Sequence, residues 1–101
     1  MKTMKTISKD MIKELQVGDA VLVLTSTAHY WTGRIVSLSM TEIALDEAAW
    51  ISQVGRHSDC VARGDLSGAE IEPHADGQIT RLPRIGSVVV DWIHALPREQ
   101  R

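Results

Sequence analysis

Two runs of strict alternation, at residues 30–38 and 42–48, constrain this chain more than any other feature. In YWTGRIVSL, Trp31, Gly33, Ile35 and Ser37 point one way, and Thr32, Arg34, Val36 and Leu38 the other. In the second run Ile43 and Leu45 share a face opposite Glu42, Ala44 and Asp46. A period of two, carried by β-branched and aromatic residues, predicts strands. The polar break Ser39-Met40-Thr41 predicts the turn that joins them into a hairpin. The second run ends in a corner of small residues marked by tryptophan, Asp46-Glu47-Ala48-Ala49-Trp50.

The flanking segments extend this hairpin into a small, mainly β domain with some helix. Residues 20–26 (AVLVLTS) predict an apolar strand that turns through Thr27-Ala28-His29 into the first alternating run. Three strands in a meander begin an SH3-like or Sm-like bent antiparallel sheet or partial barrel. Ser8 is placed to cap a short N-terminal helix over residues 9–15, with Asp10 in its first turn. Ile51, Val54, Ser58 and Val61 fall at roughly helical spacing, so one or two short helical turns are expected within residues 50–63. Residues 69–73 and 78–82 predict two short strands forming a hairpin around Asp76-Gly77, a dipeptide suited to positive φ. Residues 87–94 (SVVVDWIH) are apolar on both faces except at Asp91, which predicts a central strand or a subunit contact. A length of 101 residues predicts a single domain over residues 1–101, with residues 1–7 and 97–101 frayed.

Charge and cysteine content narrow the functional classes. A formal net charge of −2 opposes a general nucleic-acid coat, which needs a large basic excess. Every lysine lies within the first thirteen residues, and all later basic residues are arginine: Arg34, Arg56, Arg63, Arg81, Arg84, Arg98 and Arg101. A guanidinium offers a rigid fork of donors suited to phosphate oxygens and to stacking on rings, although arginines also serve simply as solvated surface. Cys60 is the single cysteine, which removes any intrachain disulfide and points to a reducing compartment. No apolar run reaches the ~20 residues of a membrane span, and no apolar segment follows the basic start. The expectation is a cytoplasmic protein without a membrane partner.

No catalytic or metal-binding set stands out. Arg56-His57-Ser58-Asp59-Cys60 gathers a base, a hydroxyl, a carboxylate and a thiol, but side chains of consecutive residues diverge instead of converging on one reacting atom. His57 and Cys60 have ligand-like spacing, yet a structural zinc site requires two such pairs and His29, His74 and His94 are scattered. Glu70 and Glu72 share one strand face and suit a solvent-facing edge that discourages strand pairing. Phosphate loops, nucleophile elbows and dinucleotide fingerprints are missing from the sequence. The chain is therefore expected to be non-enzymatic, with no cofactor and no metal.

The aromatic residues are Tyr30, Trp31, Trp50 and Trp92. Neighbouring strand residues face opposite ways, so Tyr30 and Trp31 cannot easily both enter the core. An exposed ring near arginines equips a protein to stack a base and pair its phosphates; it also suits a subunit interface. Tyr30 and Arg34 share a face roughly 13 Å apart along their strand, a span that fits a dinucleotide-sized molecule. Arg56 or Arg84 would close the far side from a neighbouring segment or subunit. The expected ligand-binding residues are Tyr30, Arg34, Trp50, Arg56 and Arg84.

Gly33-Arg34-Ile35-Val36, Glu42-Ile43-Ala44-Leu45, Ala48-Ala49-Trp50 and Ile51-Ser52-Gln53-Val54 together resemble a family of small phage and prophage β-barrel proteins. The outline is similar to the Thoeris anti-defence sponge proteins of the first type, over about two thirds of the chain. The corner departs from that pattern, with Asp46-Glu47-Ala48-Ala49 in place of an Asn-Ala-Arg-Arg run, so it lacks basic residues where a phosphate could be held. The residue 70–83 segment is a further departure. The resemblance implies a non-enzymatic homo-oligomer that sequesters nucleotide immune signals, cyclic ADP-ribose isomers or cyclic oligonucleotides, in an infected or lysogenic bacterial host. An Sm-like or SH3-like module that binds nucleic acid or a host protein is the alternative that the same residues allow.

Overall fold

The computed structural model describes residues 13–101. Strands β1 (Ala20–Leu24), β2 (Tyr30–Leu38) and β3 (Glu42–Ser52) form the expected meander. Helix α1 (His57–Arg63) follows, then β4 (Glu70–Pro73), β5 (Thr80–Pro83) and β6 (Val88–Asp91). All pairings are antiparallel, in the order β4-β3-β2-β1-β6, with β5 also on β3. The sheet bends without closing, so the mainly β architecture is the expected one. No helix among the described residues is long and apolar enough to cross a membrane.

Alternation along the central strands supplies apolar residues to both faces of the sheet. Leu22, Ala49 and Ile51 meet Cys60 of α1, together with Leu66, Ile71 and Trp92, on one face. Val21, Val23, Ile35, Ile43, Leu45 and Leu82 form a second buried cluster on the other face. Successive residues such as Val21 and Leu22 thus belong to different clusters, which explains why β1 is apolar throughout.

Two irregularities bend the β2–β3 ladder. Thr32 pairs with Ala49 but Arg34 with Asp46, which inserts one extra residue into β3 at Glu47-Ala48. Ile35 then pairs with Leu45 but Ser37 with Ala44, which inserts one into β2. Such bulges kink a strand and increase its twist. Glu47 adopts φ 51°, an uncommon conformation for a residue with a side chain, and its N–H donates to Asp46 Oδ1 at 2.7 Å. Gly33 sits opposite this bulge. A Cβ there would lie 2.9 Å from Leu45 Cβ and 3.1 Å from the Asp46 carbonyl oxygen, so only glycine permits the close approach.

Several expectations require correction. β3 continues through Trp50, Ile51 and Ser52 where helical turns were expected, because all three pair with β4 and Trp50 and Ile51 also pair with β2. Two sets of cross-strand partners outweigh a marginal helical periodicity. The helix is confined to His57–Arg63 and stops at Gly64, whose left-handed φ of 64° lets its N–H reach the Cys60 carbonyl. β4 and β5 are not a hairpin. They lie end to end along β3, pairing with its last and first residues respectively, and residues 74–79 loop outward opposite the Glu47 bulge. Asp76-Gly77 does turn, with Gly77 at φ 82°, but inside that loop.

β6 is shorter than expected and, among the described residues, is not central: it pairs with β1 alone and forms a sheet edge. The N-terminal helix expected over residues 9–15 falls largely outside the described residues, and Lys13, Glu14 and Leu15 are not helical. Residues 97–101, expected to fray, are tied down instead. Arg101 exchanges two backbone hydrogen bonds with Ile71, and Arg98 reaches back to the bulge.

Candidate functional site

The arginines expected to converge are held apart. Arg34 donates through Nε to Glu47 at 2.8 Å and through Nη1 to the Gly18 carbonyl at 3.0 Å, midway along β2. Arg84 clamps the β2–β3 turn, donating to the Ser39 carbonyl at 2.7 Å, at the end of β2 opposite Tyr30. Arg56 precedes α1, with its side chain 79% exposed and a long contact, 4.0 Å, to Asp59. Tyr30 packs on the α1 side, and its hydroxyl is hydrogen-bonded to His57 Nδ1 at 2.8 Å, so Tyr30 and Arg56 do share one end of the molecule.

Within the Arg56–Cys60 run the side chains diverge. Cys60 is fully buried while His57 turns out to Tyr30. Burial, and secondarily the charge of Asp65, pushes the Cys60 thiol above its ordinary pKa, which favours an inert neutral thiol over a reactive thiolate. Among the described residues no group of three histidine, cysteine or carboxylate side chains is arranged to hold a metal ion.

Trp50 occupies a different position from the other expected residues. It is 41% exposed, paired across the ladder with Trp31, and stacked on it with ring centroids 6.5 Å apart and planes 28° from parallel. His29 meets Trp50 edge-on at 6.0 Å, and His74 meets Trp31 edge-on at 5.3 Å. The rings therefore run in a continuous row, His29–Trp50–Trp31–His74, across the start of β2, the end of β3 and the loop after β4. Cross-strand aromatic pairs are stabilising in themselves, but a tryptophan left open to solvent beyond its partner is a platform as well as a packing element.

His74 links this ledge to an open cavity of about 530 Å³. Glu47, Pro73, His74, Ala75, Asp76 and Arg98 line it. The cavity lies between the β3 bulge and the first residues of the 74–79 loop. Arg98 holds the gap, donating to the carbonyls of Ala48 and His74 at 2.9 and 2.7 Å and to Asp76 Oδ1 at 2.8 Å. Asp46 Oδ1 accepts the Gly77 N–H at 3.1 Å and fixes the loop from the other side. A half-buried arginine with three partners is a structural tie, leaving little donor capacity for an anion.

Of the expected site residues, the ledge contains Trp50 alone. Its companions Trp31, His29 and His74, and the cavity residues Glu47, Asp76 and Arg98, were not anticipated as a group. The Trp31–Trp50 pairing could have been found by continuing β3 past the corner, whereas nothing local points to His74 or Arg98. The chain matches no known protein family, no curated protein and no solved structure.

Proposed function

We propose that this protein is a non-catalytic binder of a nucleotide-type small molecule, held by stacking on the Trp50–Trp31 ledge. The observation that carries this reading is an exposed tryptophan backed by a second ring and bordered by a polar cavity. Base–aromatic stacking supplies about 1–3 kcal/mol per base and tolerates any base, because every base has a flat face. The separated arginines revise the expected site: Arg34 and Arg84 serve the fold, and the ring platform takes the principal role. In this reading the protein acts as a phage anti-defence sponge in the host cytoplasm. It would sequester cyclic ADP-ribose isomers or cyclic oligonucleotides stoichiometrically, as its resemblance to that group implies.

A sponge of this kind is proposed to be a homo-oligomer, and the edge strand β6 supports that. Val88 is 52% exposed and Ile93 just beyond the strand 78% exposed, and no lysine or proline within β6 blocks pairing. The same features favour one alternative, a module that binds single-stranded nucleic acid on its rings or a host protein on its edge. Native mass spectrometry of protein purified from infected cells separates the two. Co-purified small nucleotides support the sponge; bound RNA or a stoichiometric host protein replaces it with the module.

A further inference from the structure

The cavity beside the ledge differs in chemistry from a phosphate site. Arg98 already serves two carbonyls and Asp76, and the other charged lining groups, Glu47 and Asp76, are carboxylates that repel phosphate. Each carboxylate engages its arginine through one oxygen: Glu47 Oε2 accepts from Arg34, and Asp76 Oδ1 from Arg98. Among the described residues Glu47 Oε1 and Asp76 Oδ2 accept no hydrogen bond, and a carboxylate has about four lone-pair sites in all. The arginine partners also orient both side chains. The cavity thus presents oriented acceptors to whatever enters from the ledge, and its natural complement is a neutral group rich in hydroxyl donors.

His74 is common to the ledge and the cavity, so the cavity lies beside a base placed over Trp31 and Trp50. We infer that the cavity is a sugar subsite, in which Glu47 and Asp76 accept hydrogen bonds from the ribose hydroxyls, so that the protein selects ribonucleotides over deoxyribonucleotides. This rests on the ledge-binding reading, and extends it by fixing the ligand's orientation: base on the tryptophans, ribose in the cavity, phosphate outward toward solvent or a second subunit. Glu47 owes its position to the bulge at φ 51°, which turns its side chain out of the alternation of β3. A backbone conformation this uncommon, beside a cavity, is where functional constraint tends to accumulate.

The test uses adenosine 5′-monophosphate and its 2′-deoxy and 3′-deoxy counterparts, followed through the tryptophan indole resonances. The proteins are wild type, Glu47→Gln and Asp76→Asn. Both substitutions keep the shape and one acceptor oxygen for the arginine partner, so the fold is retained. Replacing a charge-assisted acceptor by a neutral one changes affinity by about fivefold. The inference predicts that the ribonucleotide binds wild type at least about fivefold more tightly than either deoxy form, and that this preference shrinks to within about twofold in each variant. Equal binding of ribo and deoxy forms to wild type overturns the sugar subsite while leaving the ledge in place. So does a preference that survives intact in both variants. If no nucleotide moves the Trp31 and Trp50 signals, the ledge itself fails, and the subsite with it.

Discussion

Cys60 is fully buried among Leu22, Ile51, Leu66 and Trp92, and its chemistry follows from that position. Burial foremost, then the charge of Asp65, raises its pKa. Tyr30 is shifted the same way, first by burial and then by Cys60 beside it. For an acid whose folded pKa lies above its unfolded one, the stabilisation is complete below the unfolded pKa. It is lost as the pH climbs through the folded one, because the unfolded chain releases the proton first. Stability should therefore fall in the alkaline range, from about pH 8.5 upward. Urea midpoints measured between about pH 7.5 and 10.5 should decline in wild type and decline less steeply in Cys60→Ala. Parallel declines in both proteins would show that the thiol contributes nothing to the effect. His57 and Cys60 are otherwise outside the proposed site, and the ledge does not depend on their chemistry.

At the scale of elements the β2–β3 ladder organises everything else, and Gly33 is the position where its spacing is most exacting. Gly33→Ala would push a methyl to within 2.9 Å of Leu45 Cβ, against two strands whose backbones cannot move independently. A loss of about 1–3 kcal/mol is expected, the usual cost of overpacking a well-filled core. Chemical denaturation measures it directly, and a variant as stable as wild type would mean that the bulge relaxes freely. β2 was legible in sequence to the residue, because nine residues of unbroken alternation have few other uses. The end of β3 was not, because the extra residue at Glu47 shifts the alternation and makes Ala48-Ala49-Trp50 look like a corner. β4 and β5 were legible as strands but not in their pairing. Asp76-Gly77 marks a turn, and a turn alone does not say whether the flanking strands pair with each other or share a third. The site was legible only at Trp50. The pairing with Trp31 depends on that same bulge, and His74 and Arg98, twenty-four residues apart, meet only once the loop and the chain end are in place.

For the molecule as a whole, the two sheet edges are unequal. Arg101 covers β4 through paired backbone bonds to Ile71, whereas among the described residues β6 has no partner on its outer side and leaves Val88 and Ile93 exposed. Self-association through β6 is the expected outcome, burying about 800 Å² per partner. Sedimentation velocity at micromolar concentration should give a dimer or larger ring, and Val88→Lys should return it to monomer; a monomeric wild type would contradict this. The central claim, that the tryptophan ledge captures a nucleotide-type ligand, meets its most direct test in calorimetry. Cyclic ADP-ribose isomers and cyclic oligonucleotides are titrated into wild type and Trp50→Ala, with Arg84→Ala as the control. Trp50 is 41% exposed, so its truncation should leave the fold intact. The account predicts wild-type binding of at least one ligand at tens of micromolar or tighter, a loss of about tenfold or more in Trp50→Ala, and little change in Arg84→Ala. No binding by wild type, or wild-type affinity in Trp50→Ala, would contradict it.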